Sequence, residues 1–190
     1  MKLDHSCDLS GWIIDLRGNN GGNISMFPVG ISPLLKDTIL GYMVDNKGKY
    51  EMQKCVNGTY FQGVYKASSI PVGTALINKD KKVAVLIDDF TASGGEFLTL
   101  ALKNNQQTRT FGLQTRGATS TLMVIEINNK TELYKSQLLL AFQNWANRDK
   151  NIIVGKLKPD VECKSLECMD SAIDWIENSP SPVVVNRPAI

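Results

Sequence analysis

Apolar residues in this chain fall into two kinds of run, and the contrast predicts an α/β protein. Ser10-Gly11-Trp12-Ile13-Ile14-Asp15-Leu16-Arg17 and Lys82-Val83-Ala84-Val85-Leu86-Ile87 are short, apolar and β-branched, the pattern of strands buried on both faces. For the first, that pattern predicts a central strand with neighbours on both sides. Arg109–Gly112, Leu122–Ile127 and Ser136–Phe142 read as further strands, with Asn128-Asn129-Lys130 turning between the last two. Residues 39–77 predict a β-rich excursion, because Asn46-Lys47-Gly48 and Asn57-Gly58 punctuate stretches such as Thr59–Tyr65. Helical spacing is confined to Phe97–Lys103 and to Asp170–Glu177, where Ala172, Ile173, Trp175 and Ile176 form an apolar stripe. Ile24–Leu35 is helical in composition but broken by Pro28 and Pro33. Lys158–Val161 reads as an extended connector. One domain is therefore expected over 1–178, followed by a Pro-rich arm over 179–190.

The sharpest feature is the segment Asp88-Asp89-Phe90-Thr91-Ala92-Ser93-Gly94-Gly95-Glu96, between the strand at 82–87 and the helix at 97–103. A strand that turns directly into a helix puts its turn at the carboxyl edge of a sheet, where α/β enzymes hold their sites. Ser93 lies in that turn and is the candidate nucleophile. A plainer reading competes with it, since Ser93-x-x-Glu96 is also a capping box. Gly94 and Gly95 favour chemistry. Each costs about 1 kcal/mol against alanine inside a helix, and glycine there bares the backbone N–H groups that hold an oxyanion. On this reading, valine at either position damages ligand binding more than stability. The loop Gly18-Asn19-Asn20-Gly21-Gly22-Asn23 is a turn or a second source of such donors, facing Ser93 across a cleft.

Composition narrows the rest. A chain of 190 residues that is 43% apolar can bury a sizeable core. A net charge of +2 gives no reason to expect nucleic acid as a partner. No stretch approaches the roughly 20 apolar residues of a membrane span, and Met1–His5 carries no apolar leader core. Cys7, Cys55, Cys163 and Cys168 form no C-x-x-C pair and His5 is the single histidine, so neither a metal site nor a cofactor is expected. Cys163 and Cys168 are expected as free buried thiols, with a bridge as the alternative in an oxidising compartment. Asn23-Ile24-Ser25 and Asn57-Gly58-Thr59 match the glycosylation sequon, a pattern short enough to recur by chance.

In order, GWIIDLRGNNGG, VAVLIDDFTASGGEFLTLALK, FGLQTRGATS and KPDVE resemble the C-terminal-processing (tail-specific) serine peptidases. The resemblance runs from about Gly11 to Glu177. It implies a ClpP/crotonase-like α/β core carrying a β-rich insertion, and hydrolysis of peptide or protein substrates near their C-termini. By position, Ser93 matches the family's nucleophile and Glu96 the acidic residue three places on. Gly94, Gly21 and Gly22 match its oxyanion-hole region. The resemblance also implies an extracytoplasmic or membrane-anchored protein, anchored through an N-terminal part missing from this chain. It says nothing of oligomeric state.

The general base departs from the pattern. In the Ser–Lys branch a lysine follows the glycine of the T-x-G segment, and here that position is Ala118, after Gly117. Arg116 is no substitute, because a guanidinium stays protonated. Lys103 lies ten residues beyond Ser93 in a helix, about 15 Å along its axis. His5 precedes the first strand while the glycine loop follows it, and a five-residue strand spans about 17 Å. His5 is therefore expected at the opposite pole, and the base in an upstream segment, as the histidine is in another branch of the family. Two readings follow: a serine peptidase core, and a non-catalytic module holding an apolar ligand or an extended peptide.

Overall fold

The computed structural model describes residues 8–35, 39–70, 81–128, 136–164 and 166–179. His5, Cys7, the end of the 39–77 excursion, the turn at 129–130 and the arm from 180 lie outside the described residues. In chain order the elements are β1 (Gly11–Asp15), α1 (Phe27–Gly30), a 3-10 turn (Ser32–Leu34), β2 (Ile39–Val44), β3 (Tyr50–Val56), β4 (Thr59–Gln62) and β5 (Tyr65–Ser69). Then come β6 (Lys82–Ile87), α2 (Gly94–Lys103), β7 (Thr108–Gly112), β8 (Ser120–Asn128), β9 (Ser136–Ala146), β10 (Ile152–Ile153), β11 (Val161–Glu162) and α3 (Leu166–Asn178).

β6 is the spine of the molecule. It pairs in parallel with β1 on one side and β7 on the other, and β7 pairs in parallel with β11. All six of its residues are buried. Successive strand side chains point to opposite faces, and β6 uses both. Val83, Val85 and Ile87 pack with Leu98 and Leu102 of α2. Ala84 and Leu86 pack with Phe111 and with Ala172, Trp175 and Ile176 of α3. A second sheet, antiparallel, runs β10-β9-β2-β3-β4-β5, with β8 also paired to β9. Its inner face meets the far side of α2, where Phe97 and Ala101 join Leu40, Met43, Tyr60 and Trp145. α2 is thus enclosed between two sheets, which is why eight of its ten residues are buried and why it is apolar nearly all round.

Several expectations hold in detail. The turn between β3 and β4 places Asn57 at φ 46° and Gly58 at φ 70°, with Val56 opposite Thr59. That is the two-residue type I′ geometry that Asn-Gly encodes. The 24–35 segment is short and broken, as its prolines require.

Others are corrected. β1 is an edge strand among the described residues, half-buried along most of its length. Its apolar run reflects cover by helices on its faces rather than strands on both sides. The expected extended connector Lys158–Val161 ends in a strand, Val161–Glu162. It is set by Asp160, whose carboxylate accepts from the Thr110 N–H and hydroxyl, both at 2.8 Å. Cys163 and Cys168 are not free thiols. They are joined in a disulfide that ties the end of β11 to the start of α3. Cys55 is free and buried, and desolvation raises its thiol pKa to about 11.

Two predictions arise from this packing. Lys82 is buried, and its ammonium donates to the carbonyls of Trp175 (2.9 Å), Ile176 (2.7 Å) and Ser179 at the C-terminus of α3. Lys82→Met keeps the stem but strands those carbonyls. A loss of about 2 kcal/mol is expected, read as a lower urea midpoint at unchanged slope.

The second concerns acid. Burial pushes the Asp160 carboxyl up, but hydrogen bonds from Lys103 and Thr110 outweigh it and leave the pKa below its ordinary value of 3.8. The Arg17 guanidinium, hydrogen-bonded to Asp15 at 2.9 and 2.6 Å, holds that carboxyl low as well. A depressed carboxyl contributes stability that is present above its unfolded pKa and is lost as pH falls through the folded one. The melting temperature should therefore hold down to about pH 4 and fall below it. Asp160→Asn should flatten that acid limb.

Candidate active site

The turn after β6 is built by Asp88. Its carboxylate accepts from the N–H groups of Phe90 (3.1 Å) and Thr91 (2.9 Å), which closes the turn locally. It also accepts from the Gly18 N–H at 3.0 Å, which pins the glycine loop to the same place. Thr91 completes the junction, with its hydroxyl donating to Leu16 O at 2.8 Å. From there the two segments run together. Ala92 N–H donates to Asn19 O at 2.9 Å, and a Cβ at Gly21 would fall 2.6 Å from Ser93 Cβ. The 18–22 loop does face Ser93, as its glycines suggest, but it closes directly on the Ser93 turn with no cleft between Gly21 and Ser93.

Ser93 is half-buried at the N-cap of α2 with φ 50° and ψ −114°. An ordinary N-cap residue has β-region angles. A non-glycine residue held in this sparsely populated region costs on the order of 1–3 kcal/mol. The pair is disposed as a capping box, but its well-formed half is the Ser93 N–H donating to Glu96 Oε2 at 2.9 Å. The serine hydroxyl makes no regular cap hydrogen bond. The local form is a strained strand-to-helix turn that places the serine at the N-terminus of α2.

Glu96 has 0% exposure and accepts from three donors. Besides Ser93 N–H, its Oε1 takes the Thr115 hydroxyl and the Gly117 N–H, the latter at 2.8 Å. The loop after β7 is fastened again by Arg116 N–H to Thr91 O at 2.9 Å. This brings the T-x-G segment to the Ser93 turn with Ala118, an exposed methyl, next in line. Lys103 is spent elsewhere, its ammonium 2.8 Å from Asp160.

The backbone donors divide cleanly. Gly21 N–H is taken by Asn19 Oδ1 at 2.9 Å, and Gly95 N–H by Ala92 O at 2.9 Å. Gly94 N–H, at the first position of α2, has no partner within its helix, and neither it nor Gly22 N–H is bonded among the described residues. The glycines also have a packing reason. A Cβ at Gly94 would lie 2.5 Å from the Phe27 ring and 3.0 Å from Gly22 O, and one at Gly95 3.2 Å from Asn19 O. Asp88, Asn19, Thr91 and Thr115 are organising residues that sequence reading passed over. The visible signal was Asp88 and Asn19 in turn segments, where Asx side chains commonly bond backbone two residues on.

Residues 2–163 match the model of peptidase family S41. The chain belongs to peptidase family S41. It is 31% identical over 175 residues to the nisin-resistance protein of Lactococcus lactis subsp. lactis, covering 92% of this chain and 52% of that protein. Among solved structures it superposes on a lipoprotein from Streptococcus agalactiae with a TM-score of 0.68 at 19% identity, over 90% of this chain and 55% of that one. The photosystem II D1 C-terminal processing protease gives 0.56 at 22% identity, over 84% of this chain and 38% of that one. These likenesses establish the α/β, ClpP/crotonase-like core. The chain spans about half the length of the relative and of the first of these structures.

Proposed function

We propose that this chain carries the nucleophile and oxyanion hole of a serine endopeptidase that cuts near polypeptide C-termini. One observation carries the reading: Ser93 is held in a strained turn at a helix N-terminus, beside the unbonded N–H groups of Gly94 and Gly22. In this reaction Ser93 Oγ attacks the scissile carbonyl and gives its proton to a base. The two N–H groups hold the tetrahedral oxyanion, and the acyl-serine is then released by water. Of the three glycines matched to the oxyanion region, Gly21 packs against Ser93 while Gly94 and Gly22 donate. Glu96 accepts three hydrogen bonds already and orients the turn; it is not the base. That role falls to a histidine upstream of β1. Membership of S41 and the fold shared with a C-terminal processing protease support the substrate class. The Cys163–Cys168 bridge supports an oxidising, extracytoplasmic setting.

A second reading rests on Ala118, the methyl in the position of the Ser–Lys base: the same scaffold as a module holding an extended peptide or apolar ligand without cutting it. An active-site probe separates the two. An alkyl fluorophosphonate should modify Ser93 in the protein that includes its upstream sequence, and Ser93→Ala should abolish both modification and hydrolysis of an unstructured peptide. Tight peptide binding with neither event would leave the binding module.

A further inference from the structure

The strain at Ser93 has to be held by something, and its hydrogen bonds lead away from α2. Ser93 N–H is bound by Glu96 Oε2 at 2.9 Å. The opposite oxygen, Oε1, takes the Thr115 hydroxyl and Gly117 N–H. Thr115 itself has 0% exposure and is held from both sides by Leu157. Its N–H donates to Leu157 O at 3.0 Å, and Leu157 N–H donates to its Oγ1 at 2.8 Å. A hydroxyl has one proton to give. Because Oγ1 receives the Leu157 N–H, that proton is directed at Glu96. The order is therefore fixed from Leu157 through Thr115 and Glu96 to Ser93, four residues from three separate parts of the chain.

We propose that Thr115 is a positioning residue for the nucleophile. Its hydroxyl holds the Glu96 carboxylate in the one orientation that keeps Ser93 N–H drawn into the turn, and so keeps Ser93 at φ 50°. The second anchor, Gly117 N–H, cannot replace it. Gly117 is at φ 91°, and a Cβ there would lie 3.1 Å from Gly155 C and from Lys156 N, so its own loop is set by the 155–157 segment that holds Thr115. Without the hydroxyl, Glu96 loses a donor and the part-buried Leu157 N–H loses its acceptor. Ser93 is then free to relax to ordinary N-cap angles, which turns Oγ away from the Gly94 and Gly22 donors.

The inference rests on the peptidase reading for its consequence but not for its geometry, and the test uses both sides. Thr115→Val removes the hydroxyl at nearly constant volume, and Thr115→Ser restores it. Amide exchange at Ser93 and Gly117, read by mass spectrometry or NMR on the 190-residue chain, should speed at least tenfold in Thr115→Val and return in Thr115→Ser. In whichever form of the protein hydrolyses peptide, kcat and the rate of fluorophosphonate modification should fall about 10- to 100-fold in Thr115→Val with KM unchanged, and Thr115→Ser should recover them. Unchanged exchange at Ser93 overturns the proposal whether or not the protein is a peptidase. Faster exchange with unaltered kcat overturns it too, reducing Thr115 to a stabilising contact. A protein that never modifies Ser93 would sink the peptidase reading while the exchange measurement still decides the role of Thr115. Should Thr115→Val fail to fold, Thr115→Ala and Leu157→Pro, which deletes the N–H that orients the hydroxyl, should give the same exchange pattern; normal Ser93 protection in either overturns the proposal.

Discussion

Gly94→Val is expected to destabilise the protein by about 3 kcal/mol and to lower its melting temperature by roughly 10 °C. The position sits at the first turn of α2, enclosed on the side facing the glycine loop. A Cβ there would fall 2.5 Å from Phe27 Cε2, 3.1 Å from Phe27 Cδ2 and 3.0 Å from Gly22 O. The ring could rotate away, but the carbonyl belongs to a backbone held by Asp88 and Asn19. Most of the cost should already be present in Gly94→Ala, because the first added carbon makes the contact. Sequence alone suggested that bulk here would chiefly block access to the backbone donors. The structure places protein, not open space, against that face. Thermal unfolding followed by circular dichroism checks it: a Gly94→Ala melting temperature within 2 °C of the parent, with peptide binding lost, would restore the access argument.

How much could be read from the sequence depended on how local the determinants were. β6 and α2 were legible because an uninterrupted apolar run and an apolar helix need no distant partner to be recognised. The Asn57-Gly58 hairpin was legible for the same reason, its two positive φ angles being a property of two residues. β11 was not. It is two residues long, and what makes it a strand is Asp160 reaching Thr110, fifty positions away. The edge position that β1 takes among the described residues was misread, because burial by helices and burial by strands leave the same apolar pattern. The disulfide was weighed and set aside on composition, whereas its formation follows from α3 starting where β11 ends. At the site, Ser93, Gly94 and Glu96 could be picked out by their order. That Glu96 serves the loop after β7, and that Gly21 spends its N–H on Asn19, are facts of three-dimensional closure.

The same closure bears on which group could serve as base in the proposed reaction. The 190-residue chain by itself is expected to be a very poor peptidase. A serine hydroxyl is almost wholly protonated near neutral pH and needs a base within roughly 3 Å. Around Ser93 the structure supplies a carboxylate that already accepts three hydrogen bonds, a methyl at Ala118, and a lysine, Lys103, engaged with Asp160. What remains is the oxyanion hole and substrate binding, which in serine enzymes without a working triad leave about 10³-fold catalysis over water. If the base is a histidine supplied from upstream, as proposed, a form carrying it should exceed the 190-residue chain by several orders of magnitude, and Ser93→Ala within it should erase the difference. Both lengths are to be assayed side by side on an unstructured peptide with an apolar C-terminus. Brisk hydrolysis by the short chain, abolished by His5→Ala, would overturn the expectation and make His5 the base, carried back from the start of the chain to the carboxyl edge of the sheet.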